Sequence, residues 1–177
     1  QSIGGETKKQ SLVGILSSNP SNLLALRILL SVCKQSSNKK IFDLTNDQDL
    51  FKALNTNLIK NSRTLRLLSL NILRRFKSLN FLATEEELFS DQYSPSKPCD
   101  LFELMYTFEK TEIGFETEKS KLVQLEKIGV MCRYEVLPGE YHHALYNFLI
   151  GCLWIKFTPL FPVVHSCVSE LINRSSS

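Results

Sequence analysis

Histidine and cysteine are the side chains of this sequence whose chemistry could serve metal binding or catalysis. His142 and His143 are adjacent, so on a helix they project about 100° apart and cannot share one metal ion as residues at i and i+4 can. His165 and Cys167 are two positions apart and also face different directions on a helix. A zinc site formed by these two residues together with Cys152 would therefore need an unusual arrangement. We therefore predict packing roles for these residues, no metal site and no catalytic residue.

Phosphate-binding and nucleophile motifs are missing from the sequence as well. Neither Gly4-Gly5 nor Gly14 is followed by Lys-Ser or by the GxGxxG spacing that lets backbone amides reach a phosphate. No GxSxG nucleophile elbow occurs, and a Cys/His dyad, although possible, has nothing specific in its favour. The sequence predicts a protein that is not an enzyme, uses no cofactor and takes no small-molecule substrate.

Four cations of one predicted helix lie on the same face of that helix. Arg63, Arg66, Arg74 and Lys77 fall within an arc of about 80° if each residue turns 100°. Such a stripe could contact RNA phosphates without reading bases. Leu70 lies inside the arc, and the alternative is a solvated face or contacts to acidic residues of a neighbouring helix. We take the four cations as candidate RNA-backbone contacts.

Composition limits what can position these residues. The 177 residues are 43% hydrophobic and 22% charged, as in globular proteins, and only 7 Gly and 6 Pro argue against an all-β architecture. A net charge of +3 is too small for a dedicated nucleic-acid-binding domain, so any such contact must be local. Five cysteines without a CxxC pair indicate reduced intracellular thiols. The chain begins with Gln, and we expect it to be part of a longer protein.

Apolar residues recur at helical spacing almost throughout the chain. The predicted helices form pairs that begin near Thr7, Asp47, Cys99 and Gly139, at separations of 40, 52 and 40 residues. A period of about 40 to 47 residues is typical of HEAT and armadillo solenoids. The sequence therefore predicts an all-α fold, a HEAT/armadillo-like α-α superhelix of about four helix pairs, with an irregular helical bundle as the alternative.

The pairs divide the chain into one continuous array with an insertion. Residues 1–77 carry two helix pairs, and residues 99–177 carry two further pairs. Residues 78–98 include an acidic run and a Ser/Pro-rich stretch that predict an exposed inserted loop, in which a short helix from Thr84 is possible.

Three polar segments predict where helices start. Asn19-Pro20-Ser21-Asn22 supplies a stop and a new cap, and Asn61-Ser62 supplies the cap of the fourth helix. Thr45 and Gln48 have the spacing of a capping box.

The most apolar stretch, residues 144–164, has a single charge, Lys156, and is long enough to span a bilayer. Asn147, Pro159 and Pro162 interrupt it, so we predict two buried helices, running from Tyr141 to Phe157 and from Pro159 onward, and no membrane span. Its aromatic residues sit among Leu and Ile at helical spacing, which predicts core packing and not base stacking. They are Tyr141, Tyr146, Phe148, Trp154, Phe157 and Phe161.

Three stretches also carry a resemblance to a known family. They are NSRTLRLLSLNILRRF, DLFELMYTFEKTEIGFETEKSKLVQLEKI, and LYNFLIGCLWIKFTPLFPVVHSCVSELI, the last with Gly151, Leu153, Ile155, Phe157 and Leu160 at matching positions. They resemble, in the same order, helices of the DRIM (down-regulated in metastasis) family, the very large HEAT-repeat protein associated with the U3 small nucleolar RNA in the small-subunit processome. Asn147 and Pro162-Val163 depart from the family, which tends to have an Arg and an Asp-Pro turn there.

The resemblance implies a non-catalytic nucleolar scaffold that acts in ribosome biogenesis, in processing of the small-subunit rRNA precursor. Its implied partners are pre-ribosomal RNA and U3 small nucleolar RNA within a large ribonucleoprotein, together with other processome proteins. The alternative is a helical-repeat adaptor or transport receptor that binds proteins and is unrelated to ribosome assembly.

Overall fold

The computed structural model describes residues 12–35, 48–76, 80–82, 98–134, 137 and 139–175. Within these ranges the chain is helical apart from its connections and one pair of three-residue strands, so the all-α prediction is confirmed. The helices are α1 (12–18), α2 (Leu23–Gln35), α3 (Gln48–Thr56), α4 (Arg63–Phe76), α5 (Leu101–Lys110), α6 (Glu118–Tyr134), α7 (Gly139–Cys152) and α8 (Leu160–Ser175). A short 3-10 helix, Asn57–Ile59, follows α3.

Two of the predicted helix starts are capped as expected. The side-chain oxygen of Asn22 accepts a hydrogen bond from the Ala25 amide at 3.0 Å, and Ser62 Oγ accepts one from the Leu65 amide at 3.4 Å. Each side chain satisfies one of the amides that a helix leaves unpaired at its first turn. The predicted capping box at Thr45 lies outside the described residues.

The predicted loop 78–98 carries short strands at its ends. Strand β1 (Asn80–Leu82) pairs antiparallel with β2 (Pro98–Asp100), with Phe81 opposite Cys99. This pairing places the entry and exit of the insertion side by side, directly before α5. The possible helix from Thr84 lies outside the described part of the chain.

The core lies where successive helices pack. Helix α2 packs on α4, α4 on α5, α5 on α6, and both α6 and α7 pack on α8, while the 3-10 helix lies between α4 and α7. Phe51 of α3, Phe102 of α5 and Tyr141 of α7 form a three-ring cluster, with centroids 5.7 to 6.2 Å apart. These tilted and edge-on contacts join three helices that are far apart in sequence.

A buried asparagine fixes the 3-10 helix. Asn57 is fully buried, and its amide nitrogen donates to the Pro20 carbonyl at 2.6 Å and to Ser69 Oγ at 3.0 Å. Its side-chain oxygen accepts from Ser21 Oγ at 3.2 Å. Since every polar atom of the side chain is satisfied, Asn57 links the α1–α2 connection to α4 and holds the chain just before the site described next.

The most apolar stretch, residues 144–164, belongs to two separate helices, as predicted. Helix α7 ends at Cys152, five residues before the predicted end at Phe157, and turns lead from there to α8. None of the helices in the described ranges has both the length and the apolar character needed to cross a bilayer.

Candidate functional site

The site begins at the C-terminus of α5, where two cations cap the last carbonyls. Lys121 Nζ donates to the carbonyl oxygens of Phe108 at 2.6 Å and Thr111 at 2.7 Å. The Arg63 guanidinium donates to the carbonyls of Glu109 at 3.2 Å and Lys110 at 3.0 Å. The last carbonyls of a helix lack partners within it and carry partial negative charge, so both cations stabilise this end.

A third cation caps the end of the 3-10 helix from the interior. Arg66 is only 3% exposed, and its Nη1 donates to the carbonyls of Lys60 at 2.8 Å and Asn61 at 3.0 Å. Its Nε and Nη2 form a bidentate pair with the Glu109 carboxylate, at 3.1 and 2.8 Å. Glu109 is 1% exposed, so a fully buried ion pair ties α4 to α5.

The structure corrects one member of the predicted RNA-binding stripe. Arg66 as an RNA-backbone contact is wrong, because it is buried and its guanidinium is engaged inside the protein. Arg74 holds the Glu103 carboxylate at 2.8 Å and lies over the Tyr106 ring, and Arg63 holds the Glu112 carboxylate at 3.2 Å.

All three arginines contact acidic residues of a neighbouring element, which was the alternative. The side chains of Arg63 and Arg74 keep exposures of 43% and 21%, so RNA-backbone contact by these two stays a prediction. Lys77 lies outside the described residues. The presence of Leu70 within the arc had argued against a continuous exposed stripe of cations. Leu70 is fully buried, so the centre of the arc faces the core.

Lys121 is a buried charge with a strongly shifted pKa. It is 2% exposed and lies 4.2 Å from the centre of the Phe108 ring. Burial lowers the pKa of its ammonium from 10.5 to about 8; Glu109 and, less strongly, Cys152 oppose this shift, while Arg63 and Arg66 add to it. Two carboxylates, Glu109 and Glu112, face the cations Arg63, Arg66 and Lys121, so this part of the protein keeps a net positive charge.

This shift predicts a pH dependence of stability. Below about pH 8 Lys121 is protonated in both the folded and the unfolded protein. Between about pH 8 and 10.5 the folded protein has released this proton, whereas the unfolded chain still binds it. The contribution of Lys121 to the free energy of unfolding therefore rises with pH in this range. Lys121→Met removes that contribution. Urea unfolding at pH 7, 9 and 10 should show the wild type gaining stability relative to the variant as the pH rises.

The matched control is Lys119→Met, on the exposed side of the same helix. This variant should follow the wild type at every pH. A constant difference in stability between wild type and Lys121→Met would contradict the pKa assignment.

An open cavity of about 330 Å³ lies above the buried charges. Charged residues of α4, α5, α6 and the α5–α6 connection line it together with Trp154 and Lys156, which lie in the connection between α7 and α8. The charged residues are Arg63, Arg66, Glu109, Glu112 and Lys121. Trp154 Nε1 donates to the Ile59 carbonyl at 2.9 Å, yet the residue is 52% exposed. The hydrogen bond fixes the indole while leaving much of its surface open to solvent.

Trp154 corrects a second prediction. Core packing is confirmed for Tyr141, Phe148 and Phe157, but Trp154 and Phe161 are exposed, at 52% and 40%. Trp154 follows the end of α7 at Cys152 and no longer keeps the helical spacing on which that prediction depended. Phe161 lies in the first turn of α8, on its exposed side.

Sequence reasoning also missed Glu109 and Lys121. Both are charged residues within predicted helices, and the packing of α4 and α6 against the end of α5 buries them. One feature of the sequence pointed toward ion pairs between α4 and α5: α5 carries carboxylates at 103 and 109, and α4 is rich in arginine.

The histidines do not assemble into a site. His142 Nε2 lies 3.2 Å from the Leu171 carbonyl, and His143 and His165 are exposed on different helices. In the part of the chain that the structure describes, no group of three or more His, Cys, Asp or Glu residues is placed to hold a metal ion.

The cysteines with described side chains, Cys33, Cys132, Cys152 and Cys167, are free and buried, as predicted for small apolar side chains. Burial raises the pKa of Cys33 to about 12 and that of Cys152 well above its ordinary value. Cys132 donates a hydrogen bond to Cys167, which raises the pKa of Cys132 and lowers that of Cys167. The side chain of Cys99 lies outside the described residues.

In comparisons with known proteins, the chain matches no protein-family model, no curated protein and no solved structure at a significant level of similarity.

Proposed function

We propose that this chain is a segment of a non-catalytic scaffold of the small-subunit processome, a protein similar to the DRIM family that acts in the nucleolus in processing of the small-subunit rRNA precursor. Its partners are pre-ribosomal RNA, U3 small nucleolar RNA and other processome proteins.

The observation that carries the proposal is where the three resembling stretches meet. Arg66 belongs to the first stretch, Glu109 and Lys121 to the second, and Gly151 to the third. Arg66 and Glu109 form the buried ion pair, and the Cα of Gly151 faces the Arg66 side chain, since a Cβ there would lie 3.2 Å from Arg66 Cδ. Stretches far apart in the sequence thus supply one interlocked cluster, which supports a shared fold and not three chance similarities.

We further propose that the helices form a segment of a HEAT-like solenoid. The pairs α3–α4, α5–α6 and α7–α8 each pack internally, and α2 on α4 and α6 on α8 stack second helices of successive pairs. Leu23, Leu24 and Ile28 of α2 remain 41 to 69% exposed, as on a face that an adjoining repeat would cover. Contacts of α3 and the 3-10 helix with α7 join the second pair to the fourth. A simple stack of nearest neighbours lacks such a contact, and it is the feature that the alternative, an irregular helical bundle, would share.

The test uses the full protein that contains this chain. It is tagged, purified from nuclear extract at moderate salt, and probed for the small-subunit rRNA precursor and U3 RNA. We expect both RNAs to be enriched, and to be lost after RNase treatment or at high salt, because phosphate contacts weaken steeply with salt. Recovery from cytoplasm with peptide cargo and without either RNA would overturn the proposal in favour of a helical-repeat adaptor.

A further inference from the structure

The cavity beside α5 carries an unbalanced charge. Arg66 and Glu109 neutralise each other in the buried pair, and Arg63 is paired with Glu112 at 3.2 Å. Lys121 and Lys156 also line the cavity, and no carboxylate in its lining remains to balance them. The lining therefore has a net positive charge, which favours an anion.

The cations differ in what they can offer that anion. Lys121 already donates to two carbonyls and faces the Phe108 ring, so it contributes potential and not a contact. Lys156 is exposed. Arg63 also donates to two carbonyls, but it does so through Nη2, whereas its Nη1 donates to Glu112. That pair is solvent-accessible, and such pairs contribute little stability, so Nη1 can exchange Glu112 for a stronger acceptor. Arg63 and Lys156 are the groups that can bind an anion directly.

Trp154 distinguishes between classes of anion. Its single N–H is occupied by the Ile59 carbonyl, so the indole has no donor left for a carboxylate and offers only its apolar surface. An acidic peptide would use the cations and gain little from this ring. A nucleotide would use both, because its base has a flat face and its phosphate a charge.

We propose that this cavity binds one nucleotide of a single-stranded RNA, with the base against Trp154 and the phosphate held by Arg63 and Lys156. The choice of RNA as the natural ligand depends on the function proposed above, whereas the chemistry of base and phosphate follows from the cavity. Because phosphate contacts and stacking carry no direct base readout, the site binds without strong sequence preference.

Fluorescence tests this directly, because Trp154 is the only tryptophan of the chain. The 177-residue chain is titrated with a single-stranded oligouridylate, with polyglutamate and with inorganic phosphate. We expect the oligouridylate to quench the emission saturably, with an affinity that falls as salt is raised. Polyglutamate and phosphate should leave the emission almost unchanged at the same charge concentration.

Variants then assign the contacts, with binding measured by anisotropy of a labelled oligouridylate. Trp154→Ala should weaken binding about fivefold or more, the loss expected for one stacked base. Lys156→Glu should weaken binding and flatten its salt dependence, while leaving helicity unchanged because the side chain is exposed. Lys52→Glu makes the same charge change on α3, away from the cavity lining, and should bind as the wild type does.

Two results would overturn the nucleotide site. One is oligouridylate binding that neither Trp154→Ala nor Lys156→Glu changes; the other is quenching by polyglutamate at equal or greater affinity, which would indicate an acidic peptide. Either could occur while the full protein still purifies with rRNA precursor and U3 RNA, so loss of this site and loss of the processome function are separate outcomes.

Discussion

Glu109→Ala should lower the free energy of unfolding by about 3 to 5 kcal/mol, the range for breaking a buried ion pair by removing one partner. The reason lies in what remains: Arg66 is 3% exposed and would keep its charge in the interior without a counterion. Lys121 would also lose the charge that most strongly opposes the lowering of its pKa. Urea unfolding followed by circular dichroism measures the loss.

A conservative variant separates charge from packing. Glu109→Gln keeps the size of the side chain and an oxygen acceptor but removes the negative charge, so it should still cost most of the loss seen with alanine. The matched control is Glu112→Ala, which removes the carboxylate of the neighbouring exposed pair with Arg63 and should cost no more than about 1 kcal/mol.

A double variant completes the comparison. Arg66→Met with Glu109→Leu removes both charges, and it should be more stable than Glu109→Ala, because the guanidinium no longer stays buried without a counterion. Lys121 loses the Glu109 carboxylate in both variants, so its cost is common to the two. If Glu109→Gln lost less than about 1 kcal/mol, or if the double variant were the least stable of the set, the buried pair would not hold α4 to α5.

The parts of the fold that follow from local sequence could be predicted. Asn22 and Ser62 mark helix starts through hydrogen bonds to amides three residues away, and the apolar period of α4 depends only on its own residues. Helix α7 was predicted too long because the apolar run continues past Cys152, although the backbone turns there.

The candidate site could not be predicted in the same way, because its chemistry depends on which helix end meets which side chain. Arg63 and Arg66 read as surface cations until the ends of α5 and the 3-10 helix are placed against them. A cation on a helix is equally suited to a phosphate and to a neighbouring helix C-terminus, since both present clustered oxygen acceptors. Only tertiary packing decides between the two.

Gly151→Ala should destabilise the protein severely, by roughly 3 kcal/mol or more, which is the upper range for overpacking a core. A Cβ at Gly151 would overlap the carbonyl oxygen of Leu58 in the 3-10 helix and lie 3.1 Å from its carbonyl carbon. Backbone cannot rotate away as a side chain can, so α7 or the 3-10 helix would have to move.

That movement would reach the site, because the same Cβ would lie 3.2 Å from Arg66 Cδ. Thermal and urea unfolding of Gly151→Ala should therefore show a large loss, whereas Gly14→Ala, with open space around the added methyl, should gain about 0.5 to 1 kcal/mol from its higher helix propensity. Equal stability of the two variants would mean that α7 does not approach the 3-10 helix this closely. The predicted loss also gives a physical reason for a glycine at this position, because the contact with Leu58 leaves no room for a side chain.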